Sequence, residues 1–225
     1  MGSRRLPGKS MLSFWRGMPV IELVLRRVSA AQSLSRVVLV TSEHPRDAEL
    51  AEAAIGLGLD VFRGPENDVL SRFAGAFEVS PAAAVVRICA DNPFVEPRAI
   101  DELVRFFIAN QPCDYASNAD ACSGLPDGIG AEVLGAQALL DAAREAETRS
   151  EREHVPEFLL KRPGRFSIRH VPAPHPRLPR VKLDIDTRAD YDAMCALARE
   201  LPVEGAPLWG RDEVLEAWKR TAAQR

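Results

Sequence analysis

Ala84-Val85-Val86-Arg87-Ile88-Cys89-Ala90-Asp91-Asn92-Pro93 is a short, β-branched apolar run that stops at an acid, an amide and a proline. Such a run suits a strand buried on both faces, as in a parallel sheet covered by helices. Ligands of open α/β sheets bind where these strands end, and Asp91 stands at that end. Its carboxylate suits a divalent cation, which prefers hard oxygen donors. It equally suits a cap on the turn that Asn92-Pro93 begins.

Outward from this strand the pattern alternates. On the N-terminal side, Pro19–Gln32 reads as a helix with Ile21, Val24, Leu25 and Val28 on one face. Arg36–Thr41 reads as a buried strand, and a helix runs from Pro45 to Gly56 or Gly58. Leu59–Phe62 is a strand and Asp68–Glu78 a helix, while Pro97 opens a helix through Ala109. This β-α-β-α rhythm predicts a mostly parallel sheet. After Tyr115 strands are expected at Asp114–Asn118, Ala131–Leu134, Arg165–His170 and Val181–Asp186. Helices are expected at Ala136–Glu147, Ser150–Lys161, Ala189–Glu200 and Arg211–Thr221, the last within a helical C-terminus over 200–225. The prolines between Pro172 and Pro179 predict an extended connection. The expectation is one α/β domain over residues 1–225 with a mixed C-terminal half.

The chain has 225 residues, 46% hydrophobic and 27% charged, with a net charge of −3. That length is ample for a buried core. The basic residues form no block, which argues against a nucleic-acid partner. Cys89, Cys113, Cys122 and Cys195 are scattered, without metal-ligand spacing, as in reduced thiols. No apolar run approaches the roughly 18–20 residues that span a bilayer. A cytoplasmic protein is expected, without membrane association.

The chain opens with Met1-Gly2-Ser3-Arg4-Arg5-Leu6-Pro7-Gly8-Lys9. Backbone N–H groups, a hydroxyl and fixed positive charges are what a triphosphate requires; the same nine residues also fit a polar tail. A phosphate loop in an α/β protein normally follows a strand. None precedes Met1 in this sequence, so the sheet is expected to lack its first strand, with an in-frame apolar strand upstream of an assigned start. Its neighbours would then present unpaired edges.

Asp184-Ile185-Asp186 puts two carboxylates on one side of a strand, or it opens a helix capped by Thr187 and Asp190. Ser150 and Glu153 match a capping box, which leaves Arg152 and His154 able to meet an anionic substrate.

In order along the chain, Gly2–Lys9, Phe62-Arg63-Gly64, Asp68–Phe73, Arg87–Pro93, Asp114–Asn118, Arg152-Glu153-His154-Val155 and Asp186-Thr187 resemble the motifs of sugar cytidylyltransferases. The loop is similar to that family's Arg-Met-Gly-Ser-Thr-Arg-Leu-Pro-Gly-Lys. The spore-coat polysaccharide branch, related to the acylneuraminate and 3-deoxy-manno-octulosonate cytidylyltransferases, fits best, from Met1 to about Met194.

The resemblance implies a Rossmann-like nucleotidyltransferase fold of the glycosyltransferase-A type, with three layers. It implies CMP transfer from CTP to an acidic sugar with release of pyrophosphate, Mg²⁺ as cofactor, and a homodimer. Carried over by position, Gly2, Ser3, Arg5 and Lys9 would hold the triphosphate. Asp68, Arg72 and Arg87 would lie near the nucleotide, and Asp91 and Asp186 would bind Mg²⁺. Asn118, Glu132, Arg152, Glu153 and His154 would face the acceptor, with Arg5, Lys9 and Asp91 carrying the catalysis. Two other readings accompany this one: a different nucleotide or sugar on the same fold, and nucleotide binding without turnover.

Three positions depart from the family pattern. Cys89-Ala90 stand where Thr-Gly is usual before the acid. Gly128-Ile129-Gly130-Ala131-Glu132 replaces Gly-x-Asp-x-Glu, which puts Gly130 in place of an Asp that contacts sugar or metal. Lys182 replaces an Arg, exchanging a bidentate fork for a point charge.

Overall fold

The computed structural model describes residues 3, 5–119, 122–174 and 178–223. After a 3₁₀ turn at Lys9–Met11 the chain makes a small antiparallel hairpin, β1 (Ser13–Trp15) and β2 (Met18–Pro19). It reverses through Arg16 and Gly17, both at positive φ (50° and 86°). The hairpin is a feature the sequence did not announce, because its strands are too short to show alternation. Its Trp15 ring meets Trp209 edge-on at 5.2 Å.

Next come α1 (Val20–Ser29), β3 (Val38–Ser42), α2 (Ala48–Gly56), β4 (Asp60–Gly64), α3 (Val69–Val79), β5 (Ala84–Arg87) and α4 (Pro97–Ala109). This is the expected alternation, and β3 and β4 pair in parallel. α4 has the predicted bounds because Pro97 occupies its first turn, where a missing N–H costs nothing. Its apolar face, Ala99, Ile100, Leu103 and Phe107, is buried.

The second half supplies β6 (Tyr115–Ser117), β7 (Glu132–Gly135), α5 (Ala136–Glu145), α6 (Arg149–Glu153), α7 (Glu157–Leu160), β8 (Ile168–His170), α8 (Arg188–Arg199) and α9 (Arg211–Ala223). The sheet order is β5-β7-β6-β8, and β7 runs antiparallel to both neighbours while β6 and β8 are parallel. Alternation sends Ala116 and Val133 to the core under α1, α4, α8 and α9, and Tyr115 and Leu134 to the core under α3, α5 and α7. The result is a sheet with helices on both faces. Among the described residues no helix is long and apolar enough to cross a membrane.

Three sequence expectations are corrected. The single helix over Ser150–Lys161 is two, α6 and α7, separated at His154–Pro156. Pro156 lacks the N–H that a continuous helix would need. The capping box of α6 is Thr148 with Glu151, not Ser150 with Glu153. Val181–Asp186 forms no strand. It is extended, and its partners are loops that meet it a bond or two at a time: Asp127 N donates to Val181 O, Leu183 N to Asp127 O, and Ile185 N to Asp91 O.

Arg27 ties the core together. Its guanidinium is fully buried and donates to the carbonyls of Phe94, Val95, Pro207 and Trp209. Burial lowers its pKa to about 10, against the pull of Glu96 and Glu213.

Within the described residues, β3 pairs in a sheet only with β4, and β5 only with β7. The remaining edges of β3 and β5 both line a cavity of about 770 Å³, roofed by apolar side chains such as Ile21, Val24, Phe73 and Phe77. Lys9 and Asp91 stand among its lining residues.

Candidate active site

The loop before β1 is shaped by its own residues. Leu6 N donates to Ser3 Oγ at 3.3 Å and Lys9 N to Leu6 O, while Gly8 turns at φ 70° to start the 3₁₀ turn. Leu6 packs on the main core and anchors the loop. Gly2, expected on the triphosphate, lies outside the described residues together with Arg4.

This loop meets the end of β5 and the entry to α8. Lys9 Nζ donates to Asp91 Oδ2 at 2.6 Å and to Ile185 O at 2.6 Å, and lies 3.6 Å from Asp186 Oδ1. Arg5 reaches Asp186 Oδ1 at 2.7 Å. The main chain fixes the same approach, since Ile185 N donates to Asp91 O at 2.9 Å. Arg5, Lys9, Asp91 and Asp186, far apart in sequence, thus form one cluster. Asp186 sits just before α8, whose Thr187–Asp190 capping box is present as the helix-start reading required.

Lys182 is a member that sequence reasoning noted only as a departure. Its ammonium lies 3.1 Å from Asp184, 3.4 Å from Asp186 and 3.0 Å from Asp190. Burial works against the Asp186 carboxylate, but Lys182, Lys9 and Arg5 outweigh it and hold its pKa below the usual range. For Asp184 burial prevails over Lys182 and pushes the pKa up. Asp190 is brought down to about 2: burial opposes this, and bonds from Lys182 and Thr187 override it.

On the sheet, Arg87 and Glu132 are register partners across β5 and β7, and their side chains pair directly. Tyr115 Oη donates to the other Glu132 oxygen at 2.9 Å. Burial lowers the Arg87 pKa, but Cys89 and Glu132 together raise it further. Only strand register could reveal this trio. Burial also pushes the pKa of the neighbouring Cys89 thiol up, against the pull of Arg87 and Lys9.

The remaining sequence candidates are engaged elsewhere. Asp68 caps α3, accepting from Ser71 N at 2.8 Å and Ser71 Oγ at 2.7 Å. Arg72 donates to the carbonyls of Pro65 and Glu66 and so shapes the loop before α3. Arg152 caps α5 through the carbonyls of Ala143 and Ala146, and lies 3.4 Å from Asp68, which links the two halves. Glu153 and His154, its neighbours, are exposed. Asn118 is buried, with its amide donating to Ala99 O and accepting from Ala131 N, both at 2.8 Å. Its side chain serves the main chain of its neighbours.

The donor set at the cluster fits a hard divalent cation. Two carboxylates and a backbone carbonyl converge on one point, and a protein ammonium stands there as a cation already. Among the described residues no group of three or more His, Cys, Asp and Glu side chains is placed to hold a metal ion by itself. Mg²⁺ needs none, since it takes one or two carboxylates and completes its shell with water and phosphate oxygens.

A family model described as cytidylyltransferase matches residues 1–204. The spore coat polysaccharide biosynthesis protein SpsF of Bacillus subtilis (strain 168) is 32% identical over 203 residues, covering 88% of this chain and 82% of that protein. A 3-deoxy-manno-octulosonate cytidylyltransferase of Syntrophobacter fumaroxidans is 31% identical over 130 residues, 56% of this chain and 50% of that protein. Among solved structures, a cytidylyltransferase from Leptospira borgpetersenii serovar Hardjo-bovis superposes with a TM-score of 0.90 at 24% identity, over 99% of this chain and 92% of that one.

Proposed function

The chain belongs to the cytidylyltransferase family, and from that premise we propose that it transfers CMP from CTP to an acidic, nonulosonate-like sugar for surface polysaccharide or glycan assembly. The observation that carries this reading is the convergence of Arg5, Lys9, Asp91 and Asp186 at the end of β5. Fixed cations beside paired carboxylates suit a reaction in which negative charge must be gathered and moved.

In this reading a sugar hydroxyl attacks the α-phosphorus in line. The new O–P bond replaces the α–β anhydride bond, pyrophosphate departs with its electrons, and the hydroxyl proton passes to solvent. The protein forms no covalent bond, so catalysis is positioning and charge neutralisation. Arg5 and Lys9 offset charge on the departing pyrophosphate, with Ser3 and the loop N–H groups orienting it. Asp91 and Asp186 would hold Mg²⁺, which when bound polarises phosphate oxygens and lowers the pKa of a hydroxyl. Arg87, fixed by Glu132, presents a positive edge toward the nucleotide. Arg152 would orient the acceptor side through its link to Asp68.

Pyrophosphate release measured with CTP, UTP, GTP and ATP against a panel of acidic sugars tests the proposal. Release with CTP and an acidic sugar is expected, and release with UTP alone overturns the cytidine assignment. A second reading, nucleotide binding without turnover, draws on the cavity between β3 and β5, which leaves Lys9 and Asp91 bordering unpaired strand edges. Calorimetric CTP binding with no pyrophosphate from any acceptor would select it.

A further inference from the structure

Lys9 is the least exposed cation of the cluster: its side chain is 14% accessible, against 64% for Arg5 and 44% for Lys182. An ammonium has three donors and no acceptor. Those of Lys9 meet Asp91 Oδ2, Ile185 O and, at longer range, Asp186 Oδ1. These oxygens come from the end of β5 and the entry to α8, and they are the hard donors that a divalent cation would use. One point cannot hold both cations. Arg5 and Lys182 approach Asp186 from the solvent side, where screening weakens them. Lys9 therefore decides whether the position between the carboxylates is open.

We infer that Lys9 is a tethered counter-ion: it occupies the metal position between Asp91 and Asp186 in the free protein and vacates it when a divalent cation enters with the nucleotide. The inference rests on the functional reading that gives these carboxylates to the cation. Two like-charged carboxylates brought together without a cation repel one another, and the ammonium relieves this before any ligand arrives. A free cation must displace that ammonium, an unfavourable exchange when the ammonium has no other anion to meet. Nucleotide changes the balance. Lys9 lies in the same loop as Ser3 and Arg5, so the freed ammonium moves onto phosphate charge that arrives with the metal. Cation and nucleotide then bind with positive coupling, and coupling of this kind is reciprocal.

The test is Mn²⁺ binding, followed by the electron paramagnetic resonance of free Mn²⁺, with and without CTP and without acceptor. Lys9→Gln is expected to bind Mn²⁺ about tenfold more tightly than the wild type when no nucleotide is present, because one partly buried positive charge has gone. Lys9→Arg keeps the charge and is expected to stay as weak as the wild type. CTP should tighten Mn²⁺ binding more in the wild type than in Lys9→Gln. Thermal melts read the same exchange independently: Lys9→Gln should melt lower without metal and gain more from Mn²⁺ than the wild type does. Equal Mn²⁺ affinity in wild type and Lys9→Gln, or equal stabilisation by Mn²⁺, overturns the inference. If Mn²⁺ binding to the CTP-loaded wild type survives Asp91→Asn and Asp186→Asn, the functional reading fails with it. A site that needs both acids yet ignores Lys9 removes only the counter-ion role.

Discussion

A Cβ added to Gly130 would stand 2.6 Å from the main-chain oxygen of Asn118 and 2.7 Å from its Oδ1. Asn118 cannot retreat, because its amide bridges Ala99 O and Ala131 N. The glycine is thus more than the loss of an acid expected from the family pattern: the room for a side chain is filled by Asn118. Gly130→Ala should destabilise the protein by about 1–3 kcal/mol, since the obstacle is backbone as well as side chain. Denaturant midpoints with an unchanged m-value check this, and an undisturbed midpoint would show that the segment yields freely.

Asp91→Ala tests the acid at the end of β5. Turnover dependent on Mg²⁺ should fall by about 100-fold or more, the scale on which a single charge-stabilising group acts. The melting curve should remain cooperative, because Asp91 is only partly buried and Ile185 N donates to its main-chain oxygen, which the substitution keeps. Near-normal turnover would end the metal assignment.

Arg27→Met removes a guanidinium that serves the carbonyls of three buried residues, Phe94, Val95 and Trp209, and of the partly buried Pro207. Each carbonyl left without a donor costs about 1–3 kcal/mol, and relaxation recovers part of the sum. A loss of about 3 kcal/mol or more is expected in urea denaturation. The C-terminal segment around Pro207 and Trp209 should loosen first, seen as faster amide exchange there.

Glu151 sets an acid limit. The bond from Arg162 at 2.7 Å and the Thr148 cap outweigh burial and hold its pKa at about 2, against 4.5 for an ordinary glutamate. A pKa lowered by folding stabilises the fold above the ordinary value and ceases to do so as pH falls toward the folded value. The wild type should therefore lose stability between about pH 4.5 and 2. Glu151→Gln should cost about 1–2 kcal/mol at pH 7 and show a flatter acid limb. Urea titrations at several pH values separate the two, and parallel acid limbs would contradict the assignment.

Much of this architecture was legible along the chain. α4 showed its start in Pro97 and its buried face in the spacing of Ile100, Leu103 and Phe107. The strand that ends before Asp91 was equally plain, as was the Thr187–Asp190 cap. The single helix expected over Ser150–Lys161 overlooked Pro156, the one local signal against it, and the chain forms two helices there. The hairpin was not legible, because it depends on Arg16 adopting a left-handed conformation that L-residues seldom take.

Local sequence is enough for the β-α order from α1 to α4, the Thr187–Asp190 cap, the acid just beyond β5 and the charged loop around Lys9, because these depend on neighbours a few residues apart. Where those charges meet is set by long-range packing. Lys9 lies 82 positions from Asp91 and 176 from Ile185, yet its ammonium bonds both. Arg87 and Glu132 pair only because β5 and β7 share one register. A periodic pattern states which face a side chain occupies. It does not state which distant oxygen closes on it, since that is fixed by packing and by electrostatic contacts that exist only in the folded chain.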